Sequence, residues 1–158
     1  MTSVPPHEYA RLRSPALPRR LAALVYDTLL ILPAIMAVVA VATAIRTGLT
    51  GHAGDGDYGA ILPAWLVQLL AVSTVACFYG YFWCKSGQTL GMQAWRIRLR
   101  SDRADAVSAR QALLRIAGAA VSLAAFGLGF LWCLFDPEGR YWHDRWSGSR
   151  LELLPKRK

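Results

Sequence analysis

Asp27 is the residue whose type and place ask most of the chain, because it stands alone in an otherwise uncharged run from Leu21 to Ile45. A carboxylate at the centre of a membrane helix costs roughly 2.5–3.5 kcal/mol on insertion scales, so one kept there needs a partner or a proton. Arg20 lies seven residues earlier. That is nearly two helical turns, which puts both side chains on one face about 10 Å apart along the axis. The gap is long for a direct bond, although a snorkelling arginine and a bridging water would shorten it. Two chemistries fit. One is a proton or ion relay, or part of a substrate path. The other is an interhelical clasp in which Asp27 accepts hydrogen bonds from Arg20, Arg115 or a backbone group.

His143 and Asp144 form the second candidate, within Tyr141-Trp142-His143-Asp144-Arg145-Trp146. Histidine titrates near neutral pH. A His–Asp dipeptide without Ser or Cys at a recognised motif spacing, however, does not make an activated nucleophile. The plainer reading is an interfacial anchor, with Trp rings at the headgroups and Asp144 and Arg145 holding the tail. His7, His52 and His143 are too scattered to bind a metal. Cys77, Cys84 and Cys133 lie in apolar surroundings, where a free thiol behaves as a small hydrophobe. No catalytic residue, metal or cofactor is therefore assigned, and the chain is not expected to be an enzyme.

The elements that must position these groups are three apolar stretches, residues 21–45, 61–83 and 116–135. A spanning helix needs about 20 apolar residues, and all three are long enough. The third carries Gly118, Gly127 and Gly129. A cleaved signal peptide is a poor account of the first stretch, since apolar cores of signals run ~7–15 residues. The 158 residues are 54% hydrophobic and 18% charged, which excludes a disordered chain. Three cysteines are too few for a disulfide scaffold. Gln68, Ser73 and Thr74 are expected to bond across helices, worth roughly 0.6 kcal/mol each.

The net charge of +8 is unevenly placed. Residues 1–20 hold four arginines, the loop 46–60 one, the stretch 84–115 seven basic residues and the tail 136–158 six. The positive-inside rule puts the N-terminus and the 84–115 loop in the cytoplasm and the Gly-rich 46–60 loop outside. Three full spans would strand the basic tail outside. Either the third segment breaks near Gly127-Leu128-Gly129 and returns, or the tail is external; the charge rule favours the return. Tyr58 and Trp65 at one end of the second span, and Tyr79, Tyr81, Phe82 and Trp83 at the other, suit interfacial belts.

Within the cytoplasmic part, Trp95 to Arg100 alternates strictly, with Trp95, Ile97 and Leu99 on one face and Arg96, Arg98 and Arg100 on the other. Period two predicts a strand. Residues 150–154 are a second, weaker strand, and the two are expected to pair as a ribbon whose arginines meet anionic lipid headgroups, each adding ~1 kcal/mol. No nucleic-acid motif accompanies the charge. Ser108 and Gln111 have capping-box spacing, and Asp136-Pro137-Glu138-Gly139 has the residues of a type I turn.

These residues resemble the RDD family of small prokaryotic membrane proteins, named for one arginine and two aspartates. Arg20 and Asp27 match the arginine and first aspartate, in Arg19-Arg20-Leu21-Ala22-Ala23-Leu24-Val25-Tyr26-Asp27. The middle signature is similar to Gly87-Gln88-Thr89-Leu90-Gly91-Met92. The last is similar to Gly129-Phe130-Leu131-Trp132, Phe135-Asp136-Pro137 and Trp142-His143-Asp144-Arg145, then Gly148. The second aspartate is Asp136 or Asp144. The final strand, Gly148-Ser149-Arg150-Leu151-Glu152, departs from the Thr and Val usual in relatives. The resemblance implies an inner-membrane location and no firm activity, with transport suggested and ion/proton exchange reported for some members.

The expectation is an all-α multi-pass membrane protein, a helical bundle with two spans, a third apolar segment that spans or breaks, and a small cytoplasmic β-ribbon. A cytoplasmic tail (1–17) precedes an RDD-like membrane domain (18–154), and a basic tail (155–158) follows. Two functions fit. The first is ion, proton or small-solute transport, which in so small a chain calls for a homo-oligomer. The second is a non-catalytic scaffold or accessory protein acting through a membrane-protein partner.

Overall fold

The structure is a computed structural model and describes residues 14–50, 62–103 and 106–155. His7, His52, Tyr58 and most of the loop expected to face outward lie outside the described residues, as do Lys156, Arg157 and Lys158.

Helix α1 runs from Leu17 to Thr50 with Pro33 inside it, longer at both ends than the apolar run. Helix α2 runs from Ala64 to Ser86 and ends on Lys85, a cation suited to a helix C-terminus. Both are long and apolar enough to cross a membrane. The chain divides into two compact units, Thr28–Phe78 and Met1–Asp27 with Tyr79–Lys158. In Thr28–Phe78 the large side chains of Leu29, Met36, Val41, Leu69 and Val72 are exposed. There Thr74 donates to the carbonyl of Leu70 in its own helix, at 2.8 Å, instead of reaching across.

The other unit is built on a buried core of Ala23, Trp83, Met92, Ile97, Leu99, Val107 and Ala112, with Tyr79, Ile116 and Leu151 packed against it. Short helix α3 (Leu90–Ala94) is capped by Thr89. Strands β1 (Ile97–Ser101) and β2 (Ser149–Leu153) then pair antiparallel, with Leu99 opposite Leu151 and Arg100 opposite Arg150. The ribbon is thus as expected, but it begins two residues late. Trp95 is the C-cap of α3, and Arg96 turns the chain at φ 57°. Trp83 and Tyr79 also depart from the expected interfacial belt, because both face the core.

Helix α4 (Ala109–Ala124) starts at the capping box made by Ser108 and Gln111. The third apolar stretch does not continue straight. Phe126 and Gly127 take positive φ, and α5 (Leu128–Leu131) with the 3-10 turn Trp132–Leu134 leaves at 109° to α4. Gly127, at φ +80°, takes the left-handed bend with little penalty. Gly129 makes the fold-back possible, since a Cβ there would lie 2.6 Å from Ser122 Cβ. Helix α6 (Trp142–Ser147) packs on α4 and leads into β2. Strands that share hydrogen bonds lie on one side of a bilayer. Whatever depth residues 109–134 reach, the chain therefore returns to the side it left, which is the broken arrangement and not a single crossing.

Candidate functional site

Asp27 is buried, and both its oxygens are taken. Oδ2 accepts from the hydroxyl of Thr89 at 2.5 Å and Oδ1 from the backbone N–H of Gly91 at 2.8 Å. Thr89 in turn accepts from the N–H of Met92. The carboxylate so completes the first turn of α3, where unpaired N–H groups favour an anion. Gly91 is required by the approach, because a Cβ there would stand 2.3 Å from the Ala23 carbonyl oxygen and 2.9 Å from the Asp27 carboxyl carbon. Of the partners the sequence suggested, only the backbone group is right. The missed partners, Thr89 and Gly91, lie in the Gly87–Met92 motif, whose second glycine marked a close approach.

Arg20 does not reach Asp27. Side chains of a helix lean toward its N-terminus, and Arg20 sits in the first turn of α1. Its Nε donates to the Pro15 carbonyl at 2.7 Å, and its Nη2 donates to Ser14 Oγ and the Gly139 carbonyl, each at 2.5 Å. The guanidinium lies 4.5 Å over the Tyr141 ring. Arg20 thus ties the start of α1 to the Asp136–Gly139 turn.

Arg115 is the partner of Asp144, in an ion pair with both side chains buried. Asp144 also accepts from the N–H of Tyr141 at 3.0 Å. Arg115 donates to Ser149 Oγ at 3.1 Å and covers the Trp83 ring at 5.2 Å. One side chain of α4 therefore meets α2, α6 and β2. Asp136 is held separately, by the N–H of Arg140 at 2.8 Å and by the Arg145 guanidinium. These two donors hold the Asp136 carboxyl below the usual carboxylate range. Asp144 and Arg145 thus serve two different partners and do not pair with each other.

His143 is buried beside them, in edge contact with Phe130 at 5.1 Å. Its Nε2 stands 3.7 Å from Asp144 Oδ1, beyond hydrogen-bond reach. Burial, with Arg115 and Arg20 nearby, pushes its pKa down to about 2, so the ring is neutral and acts in packing. A Cβ on Gly118 would meet His143 Cβ at 2.7 Å, which shows how closely α4 and α6 approach. On the ribbon, Arg150 bonds Glu152 at 2.9 Å and approaches Asp102 at 3.7 Å, and Arg100 lies 4.0 Å from Glu152. The ribbon's own carboxylates therefore engage two of the arginines expected at lipid headgroups. Among the described residues no group of three or more His, Cys, Asp or Glu could hold a metal ion.

Residues 14–148 match the model of the RDD family, and all the signature residues above fall within that range. No curated protein and no solved structure matches the chain.

Proposed function

The chain belongs to the RDD family and is a multi-pass membrane protein; from that premise we propose that it is a non-catalytic scaffold or accessory subunit of the cell inner membrane. It acts through a partner membrane protein or a second copy of itself. The observation that carries this reading is the state of Asp27. It is the one Asp, Glu, Lys, Arg or His in residues 21–45 and 61–83, and both its oxygens are engaged by donors on the α3 turn. A carboxylate so held is a clasp. The positive-inside rule supports a cytoplasmic N-terminus and ribbon, because strand pairing gathers the basic 84–115 and 136–158 segments on one side.

Ion or proton transport is the second reading, favoured by the presence of an ionisable side chain within a span. Ion and proton flux in proteoliposomes separates the two, with wild type measured beside Asp27→Asn. The scaffold reading expects no flux across Na⁺, K⁺ or H⁺ gradients from well-inserted protein. Flux in the wild type that disappears in a folded Asp27→Asn variant would overturn it.

A further inference from the structure

The fold-back made by α4 and α5 is turned the wrong way out for water. From Leu113 to Phe135 every exposed residue is apolar, Leu123 and Leu131 among them, and Phe126 at the bend is 96% exposed. Arg115 and Ser122 are buried on the opposite side, Arg115 in its ion pair with Asp144 and Ser122 donating to the Gly118 carbonyl at 2.8 Å. A surface helix of a water-soluble domain turns its apolar stripe inward and its charges outward. Helix α4 does the reverse. Its exposed residues between 113 and 124 cover about half the helix circumference, wider than the seam by which one helix meets another.

We propose that this fold-back is immersed in the acyl chains of the leaflet on the ribbon's side, so that lipid hydrocarbon is what covers it. Residues 116–135 carry no charge, whereas Arg110 before them and Arg145 after them are exposed. Trp132, Trp142 and Trp146 form a ladder with ring centroids 6.1 and 6.5 Å apart, and such rings gather at the boundary between hydrocarbon and water. The bend also meets the demand that lipid makes of irregular backbone, which is internal hydrogen bonding. The N–H groups of Ala125, Gly127 and Leu128 donate to the carbonyls of Val121, Ser122 and Ala125 at 2.9, 2.8 and 3.1 Å. From Arg110 to Ala124 the helix rises about 21 Å even if it stands upright, short of the ~30 Å of hydrocarbon. The chain therefore turns back before the far surface. The proposal is independent of the scaffold reading.

Spin labels test the depth directly. The full chain carrying C77S, C84S and C133S would receive a single cysteine by Phe126→Cys, Leu123→Cys or Arg110→Cys. Each variant would be nitroxide-labelled and placed in vesicles of phosphatidylcholine and phosphatidylglycerol. Power saturation then reads collisions with oxygen, which concentrates in hydrocarbon, and with a water-soluble nickel chelate. Labels at 126 and 123 should collide readily with oxygen and lose contact with nickel, and the label at 110 should show the reverse. Leu123→Cys keeps the test open if Phe126→Cys does not fold, since Phe126 holds a positive φ. Nickel access at 123 or 126 equal to that at 110 would place the fold-back in water and overturn the proposal. Low access to both reagents at these sites would overturn it too, because protein would then be the cover; dipolar broadening between labels would identify that protein as a second copy of this chain.

Discussion

In Thr28–Phe78 the apolar side chains of Leu29, Met36 and Val72 face outward, and Thr74 bonds its own helix. In the other unit Asp27, Arg115, Asp144 and Glu152 are buried and each meets a named partner. The contrast separates two ways of specifying structure. Lipid tails are as apolar as leucine, so they favour a helix without fixing what lies beside it. Buried polar groups left unpaired are expensive, so a network of them admits few arrangements. The polar unit should therefore respond to single atoms, and the apolar unit should tolerate substitution.

The largest expected effect lies at Arg115. Arg115→Met strands the Asp144 carboxylate and should cost about 3–5 kcal/mol, measured as the shift in unfolding midpoint of the detergent-purified protein. Adding Asp144→Leu should restore much of the loss; if the double variant is no better than the single, charge pairing is not what Arg115 supplies. Next, Asp27→Asn replaces one of two accepting oxygens with an NH2 donor that faces a donor and should cost about 1–3 kcal/mol. Gly91→Ala should cost a similar amount, about 1–3 kcal/mol, because its Cβ overlaps the Ala23 carbonyl oxygen and crowds Asp27. Gly48→Ala has nothing within 4 Å of its Cβ and should be neutral or stabilising by up to about 1 kcal/mol. Equal losses at the two glycines would erase the contrast between the units.

A further effect is a pH slope, modest near neutrality. His143 is neutral in the fold at a pKa of about 2, against 6.5 when unfolded. Below 6.5 the unfolded chain binds a proton that the folded one does not. Stability is then complete above pH 6.5 and falls as pH drops toward 2, by at most about 1.4 kcal/mol per pH unit. His143→Phe should flatten the upper part of this slope, above the carboxylate range. Lowered Asp136 contributes in the same direction, but only below the ordinary carboxylate value of 3.8.

Sequence periodicity carried the regular elements well. Two long apolar runs, the Ser108–Gln111 cap, the alternation around Ile97–Leu99 and the glycines at 127 and 129 each act locally, and each lies close to its expected place. The site was legible in its members but not in its pairings. Helical spacing suggested Arg20 for Asp27, because both belong to one helix. The actual donors come from 62 and 64 positions away, and only folding brings them near. Arg115 was named as one alternative for Asp27, yet its partner is Asp144, across 29 positions. Spacing along a helix limits which residues share a face, but it does not say what that face meets.

The Asp27–Thr89 bond joins a point in the N-terminal part of α1 to one just beyond the end of α2. During membrane insertion the two residues reach the same side only when α1 and α2 have both crossed, in opposite senses. A hairpin that enters incompletely leaves Asp27 in lipid or water without its hydroxyl and N–H donors. The clasp can therefore close only in a hairpin that brings residue 27 beside residues 89 and 91.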